Sequence, residues 1–400
     1  MRVFQLNTFC GVKSTGRIAS EIAKLVVEDG GECRIGYGVP GISEDSQPYA
    51  YRIGTPVSRK FHAVIRKLFD AEGYGSFWAT RKLIQDLNAF RPDLIHLHNI
   101  HGCYLNFGLL FRYLSKADIP FVWTLHDCWP FTGHCAYFDY SGCQKWQHEC
   151  SHCPQQRNYP ICIGLDGSRR NHRNKKKWFS KLKNLTFVAP CQWMTKPLAA
   201  SFMGKYPVRV IVNGVNLDVF HPVESQLRSQ YHLEDKKVCL AVASEWDERK
   251  GLTYIIQAAE KLDDSYRFVV IGLESEQIRL LPSNVIGLER TSSTEELAAW
   301  YTTADCFVNP TLEDNMPMVN LEALACGTPV VVFETGGCPE AIDPGCGIVV
   351  RQGHLDEFCR ALQTLCEQKE MGEGCLNRAK YFDCKVTFQS YLELYKEICS

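Results

Sequence analysis

The segment from Asn309 to Ile342, NPTLEDNMPMVNLEALACGTPVVVFETGGCPEAI, constrains the fold of this chain more than any other. Residues 305–310 (DCFVNP) have an apolar centre that suits a buried parallel strand. From Met318 to Cys326 the spacing is helical, with Leu321, Leu324 and Ala325 on one face. Gly327 supplies a C-terminal cap, and Pro329 stops the helix from continuing. The next strand runs from Pro329 to Phe333. Gly336 and Gly337 then let backbone approach a ligand closely, and Pro339 can open a helix. Strand, helix and strand in this order make a crossover unit of a parallel sheet, whose ligands bind outside the carboxyl ends of the strands. Asp314, Glu322, Gly336 and Gly337 are expected at that edge.

The same alternation runs through the chain. A first set predicts strands at 3–7, 33–38, 94–99, 121–125 and 186–189, with helices at 18–27 and 77–88. A second set opens at a strand over 208–212. It continues with strands at 238–243, 267–271 and 305–310 and helices at 253–262 and 295–301, then helices at 356–368 and near 387–398. The expected class is α/β, with two doubly wound parallel sheets. The expected division is 1–200, carrying a Cys-rich insertion over 128–162; then 201–382; then a terminal helix over 383–400 that returns to the first domain.

Four hundred residues give ample room for two cores. A net charge of -1 can still hide a basic patch. The opening MRVFQLNTF reads as a short strand and not as a signal peptide, and no run has the length to cross a bilayer. Most of the twenty cysteines are scattered in apolar segments, as at Cys239, Cys306, Cys326 and Cys366, where thiols pack as small hydrophobes. A reducing cytoplasm is the expected location.

The central segment resembles the donor-site signature of the retaining glycosyltransferases of family 4, which have the GT-B fold: two Rossmann-like domains facing a central cleft. That pattern is a carboxylate, seven residues, then a glutamate opening EA-x-A-x-G-x-P-V. Glu322 matches the second carboxylate. Asp314 stands at the first, where the family usually has Glu. The resemblance implies that Glu322 grips the ribose hydroxyls of a nucleotide sugar. It also implies that Asp314, with the loop at Asn315 and Met316 and the turn at Gly336 and Gly337, meets the donor sugar. Two oxygens on one carboxylate suit a vicinal diol.

Further motifs join this resemblance. SEWDERKGL, 244–252, resembles the family loop G-R-L-x-x-x-K-G. Lys250 and Gly251 match, Glu245 replaces the usual arginine, and Arg249 is the candidate substitute. Such cations neutralise a departing diphosphate without a divalent metal. The loop FCGVKSTGR, with Gly11 and Gly16, resembles the glycine loop that approaches donor phosphate and acceptor. His126 matches the histidine that faces the donor sugar near the reacting carbon, and Asp127 is positioned to orient it or touch acceptor. His98 and Asn99, at the neighbouring strand end, are acceptor candidates. Asn213, Gly214, Val215 and Asn216 resemble an N-G-V-D turn. The string H-D-x-W-x-F-T-G-H-C resembles the branch that builds capsule, exopolysaccharide or lipopolysaccharide.

Cys135, Cys143, Cys150 and Cys153 could supply a structural zinc site, although the chemistry requires no cofactor. Basic stretches at 168–183 and at Arg59, Lys60, Arg66 and Lys67 could meet an anionic membrane or a lipid-diphosphate acceptor. The expected partners are a nucleotide diphosphate sugar (UDP- or GDP-linked) and a saccharide or lipid-linked saccharide, with no nucleic acid. The expected location is thus cytoplasmic and peripheral at the inner face of the membrane. Two other classes compete: an epimerase or phosphorylase on the same fold, and a non-catalytic zinc-containing protein that binds sugar nucleotides.

Overall fold

A computed structural model describes residues 1–368 and 370–400. The chain divides into two compact units, Met1–Val212 with Phe388–Ser400, and Asn213–Thr387. Among the described residues the strands form two sheets, and every ladder is parallel.

The first unit holds β1 (Arg2–Asn7), β2 (Glu32–Tyr37), β3 (Ala50–Arg52), β4 (Leu94–Leu97), β5 (Phe121–Thr124), β6 (Leu185–Ala189) and β7 (Val208–Val210) in the order β3-β2-β1-β4-β5-β6-β7. Chain order reverses between β1 and β4, and the crevice at such a switch point is where α/β sheets bind ligands. Strands β4 and β5 are buried along their whole length, as a sheet covered on both faces requires. Helix α1 (Lys13–Glu28) covers β1 and β2 with Ile18, Ile22 and Val26. Helices α2 (Pro56–Phe69), α3 (Phe77–Phe90), α4 (Phe107–Leu114) and α5 (Ser168–Phe179) follow. The last helix, Gln389–Cys399, belongs to this unit, and its Lys396 pairs with Asp29 at the end of α1 at 2.7 Å.

The second unit holds β8 (Lys237–Val242), β9 (Tyr266–Ile271), β10 (Val285–Leu288), β11 (Cys306–Asn309), β12 (Val330–Phe333) and β13 (Gly347–Val350) in the order β10-β9-β8-β11-β12-β13. Its switch point lies between β8 and β11. The core gathers Ile255, Phe268, Val308, Val331, Phe333, Phe358 and Leu362.

Two expectations are corrected. The strand at 208–212 does not open the second sheet, because Val208–Val210 pairs with Phe187–Ala189 and closes the first. The units therefore meet in the chain at Val212 and Asn213 and not at 200/201, and residues 383–387 remain with the second unit. The N-G-V turn supports this, since Val215 exchanges backbone hydrogen bonds with Phe382 and Cys384.

Candidate active site

In the second unit, three loops leave the carboxyl ends of adjacent strands. The loop after β8 turns at Gly251, whose φ of 76° is a left-handed value that favours glycine. A Cβ there would also lie 2.1 Å from the carbonyl oxygen of Pro310, so the close approach needs a glycine twice over. This packing brings Lys250 Nζ to 2.6 Å from Asp314 Oδ2. Arg249 Nη1 donates to the Glu313 carbonyl at 2.8 Å, and the Arg249 carbonyl accepts from Leu312 N at 2.7 Å. The loops on either side of the switch point are thus tied by one ion pair and by hydrogen bonds in both directions. Burial raises the Asp314 pKa, but Lys250 and Arg249 more than offset it and hold the carboxyl below its ordinary value.

The third loop follows β12. Gly336 has a φ of 54°, and a Cβ on it would lie 1.8 Å from the Asp314 carbonyl oxygen. Gly337 opens the short turn Cys338–Ala341. Asn315 and Met316 are buried, and Asn213 Nδ2 donates to the Met316 carbonyl at 2.9 Å. Glu322 sits inside the helix Met318–Ala325, buried, and accepts from the Tyr301 hydroxyl at 2.9 Å. Tyr301 is itself fully buried and fixes the direction of that carboxylate, a contact that sequence spacing does not announce.

The first unit builds its site at the ends of β1, β4 and β5. Gln5 Nε2 donates to the Ala19 carbonyl at 2.8 Å, which leaves Oε1 as the acceptor for His98 Nε2 at 2.8 Å. His98 Nδ1 lies 3.0 Å from His126 Nε2. Burial holds His98 well below its ordinary pKa, so its ring is neutral and Nδ1 carries a lone pair. The chain of hydrogen bonds therefore places the proton of His126 on Nε2. Desolvation pulls the His126 pKa down to about 4, against the attraction of Asp127, so this ring is neutral too and its Nδ1 is an acceptor.

A family model described as Glycosyltransferase Family 4 matches residues 16–219, and one described as Glycosyl transferases group 1 matches 236–368. The chain belongs to glycosyltransferase family 4. The putative colanic acid biosynthesis glycosyl transferase WcaC of Escherichia coli (strain K12) is 23% identical over 365 residues, 88% of each chain. Among solved structures, sucrose-phosphate synthase from Thermosynechococcus elongatus superposes with a TM-score of 0.73 at 15% identity, covering 99% of this chain and 98% of its own. Anabaena Alr3699/HepE in complex with UDP-glucose gives 0.69 at 17% identity, covering 99% and 100%. These likenesses establish the GT-B fold.

Against this family 4 frame, several residues sit differently from expectation. Glu245, at the usual arginine position, is exposed. Asp127 Oδ2 pairs with His101 Nε2 at 2.8 Å, and its Oδ1 accepts from Trp129 N at 2.9 Å. His98, which meets His126 at 3.0 Å, is itself buried. Asn99 is half-buried, and its carbonyl accepts from Thr8 Oγ1 and the Tyr104 hydroxyl. Gly11 turns with a φ of 70° against Ser43 and Ser46. Gly16 lies in the first turns of α1, packed on Phe9, and its carbonyl accepts from Gly11 N at 3.1 Å.

The four insertion cysteines do not form one ligand set. Among the described residues, the groups of three metal-ligating atoms within 4.8 Å of one another are Cys239, Cys306 and Cys366, and His62, Glu72 and Cys103. In the insertion, Gly133 N donates to Cys150 Sγ at 3.2 Å, and the free thiols of Cys135 and Cys153 share a hydrogen bond. That bond, against burial, pulls the Cys153 thiol down to about 7. The insertion is held instead by His134, 2.6 Å from Asp70 Oδ1, and by Lys175. Lys175 is buried and donates to the carbonyls of Trp129 at 2.6 Å and Thr132 at 3.1 Å.

Proposed function

We propose that this chain transfers a sugar from a nucleotide diphosphate sugar to a saccharide or lipid-linked saccharide, with retention and without a metal, in the building of a bacterial surface polysaccharide. The carrying observation is the Lys250–Asp314 pair at 2.6 Å, seated at the switch point with Arg249 beside it. Two cations on a loop ordered by backbone hydrogen bonds can take up the charge of a departing diphosphate. That is the task a divalent ion performs in metal-dependent transferases. Glu322, aimed by Tyr301, takes the ribose diol, and the backbone around Asn315, Met316, Gly336 and Gly337 takes the sugar. In the first unit, the His126 ring hydrogen-bonds a sugar hydroxyl. In this reading the second unit binds donor and the first serves the acceptor.

The bond from the anomeric carbon to the diphosphate oxygen breaks as the acceptor oxygen attacks the same face. The acceptor proton passes to the departing diphosphate, so no enzyme nucleophile is needed. The UDP-glucose complex of Alr3699/HepE supports a UDP-linked donor, and the printed role of WcaC supports a polysaccharide product. The protein is read as cytoplasmic and peripheral to the membrane. Among the described residues no helix is long and apolar enough to cross one.

The test is a screen of UDP-, GDP-, ADP- and dTDP-sugars in EDTA, following thermal protection and nucleotide release, with the product's anomeric configuration read by NMR. Protection and slow release with one donor, and a product that keeps the donor's configuration, are expected. Ligand binding with no turnover across all donors and saccharide acceptors would favour the non-catalytic class. An isomerised sugar nucleotide would point to an epimerase.

A further inference from the structure

Three thiols meet in the core of the second unit. Cys239 lies on β8, Cys306 on β11 and Cys366 in the helix Leu355–Glu367. Cys239 and Cys306 are register partners on adjacent parallel strands, so their side chains leave the same face of the sheet. Cys366 stands one turn beyond Leu362, on the side of its helix that is buried in the same core. The sulphurs are 3.5 Å apart between Cys239 and Cys306, 3.6 Å between Cys306 and Cys366, and 4.0 Å between Cys239 and Cys366.

A core cysteine ordinarily packs as a small hydrophobe. This trio differs in two respects. Among the described residues, its sulphurs hydrogen-bond only to one another. The other close group of ligating atoms has its lone pairs engaged by backbone. Gly73 N and Gly75 N donate to His62 Nε2 at 3.1 and 3.2 Å, and Gly102 N and Cys103 N donate to Glu72 Oε1 at 3.1 and 2.9 Å. Second, hydrogen bonds from Cys239 and Cys306 pull the Cys366 thiol down against burial, so the cluster favours one thiolate. Lys237, on the same strand as Cys239, is turned outward, with Nζ donating to the Tyr266 hydroxyl at 3.2 Å and to Glu367 Oε1 at 3.4 Å. A buried anion with no cation against it is costly, and a cation seated between the sulphurs removes that cost.

The spacing fits such an ion. A triangle with sides of about 3.7 Å has its centre about 2.1 Å from each corner, close to the ~2.3 Å of a metal–thiolate bond. Structural zinc takes four ligands, and among the described residues no fourth ligating atom joins the trio. Three sulphurs with no oxygen or nitrogen suit a soft monovalent ion that accepts trigonal coordination. We propose that Cys239, Cys306 and Cys366 bind one copper(I) ion, which ties β8, β11 and the helix Leu355–Glu367 together. The ion takes the place of thiol protons, which pass to water, and no electron moves. Cys366 is the point of entry, since it is 6% exposed and precedes the exposed Glu367, whereas Cys239 and Cys306 are 0% exposed.

The experiment gives copper(I) to the full chain, reduced and kept anaerobic, in competition with bathocuproine disulfonate. Neither donor nor acceptor is present, so the outcome stands apart from the transferase reading. One ion per chain held against the chelator is expected, with three sulphur neighbours in X-ray absorption and a melting temperature raised by copper(I). Cys366→Ser and Cys306→Ala should each lose that ion and that rise. Cys135→Ser with Cys153→Ser, in the insertion, should keep both. A melting curve without copper reports whether each variant folds, and Cys366→Ser, at the edge of the core, carries the test if Cys306→Ala does not. A parent chain that yields all its copper to the chelator overturns the proposal, and so does a folded Cys366→Ser chain that retains the ion. Zinc held by the parent and lost from Cys366→Ser, with copper(I) held by neither, would overturn it in favour of a divalent ion.

Discussion

At the scale of single residues, the Lys250–Asp314 pair ties stability to function. Both side chains are mostly buried, so removing one partner leaves the other poorly solvated. Lys250→Met is expected to lower kcat/KM by about a hundred- to thousand-fold and to cost roughly 1–3 kcal/mol in a denaturant titration. Adding Asp314→Asn should recover most of that stability and none of the turnover; a double variant no more stable than the single would refute the pairing. The histidines make a second prediction. His96, His98 and His126 are all held below their ordinary pKa, chiefly by burial. The unfolded chain therefore binds more protons at these sites. Their contribution is fully present above about pH 6.5 and is lost as pH falls through the folded values, by roughly 1.4 kcal/mol per pH unit for each ring. NMR titration should place the His126 midpoint near 4. A midpoint near the ordinary value would contradict the neutral tautomer drawn from the Gln5–His98–His126 chain.

At the scale of elements, the strands and crossover helices were legible because a buried parallel sheet writes short apolar runs punctuated by glycine and proline. The loop at 309–316 and the helix carrying Glu322 were legible for the same reason, reinforced by family resemblance. Partnership was not legible. Nothing within Val208–Val210 says that its ladder is with β6, and β3 is too short at three residues to show a period. Nor does sequence tell which cations of a basic stretch face inward. Lys175 lies among Arg170, Arg173, Lys176 and Lys177, yet it alone is buried against two carbonyls and over the Trp129 ring. Desolvation pulls its pKa down to about 7. A folded value below the unfolded one means that the unfolded chain binds the proton more tightly. The stability contribution is whole above the unfolded value near 10.5 and fades as pH falls toward 7. Lys175→Met should flatten that slope of the melting temperature against pH, and an unchanged slope would show that the ammonium is not desolvated.

At the scale of the whole molecule, two parallel sheets followed from the alternation of elements and the GT-B architecture from the family resemblance, but the last helix shows how far apart in sequence a polar cluster can be assembled. Tyr395 lies 2.5 Å from His96 Nδ1, Tyr391 lies 3.1 Å from Thr124 Oγ1, and His96 Nε2 lies 2.8 Å from that same oxygen. All four side chains are fully or almost fully buried. Tyr395→Phe should destabilise the protein by about 1–3 kcal/mol, because it leaves a buried imidazole nitrogen without its partner. A change below about 0.5 kcal/mol in urea would mean that the nitrogen finds another partner or water.

The sequence distance across that cluster has a consequence for biogenesis. The segments that become β1, β4 and β5 are made while the tyrosines that cover His96 and Thr124 are still untranslated. Through the synthesis of the entire second unit, this polar pair lacks the cover that those tyrosines give it. Only after the second unit has been made can Gln389–Cys399 seal it, so the commitment of the first-made half to its native state is timed by residues that follow the whole of the second unit.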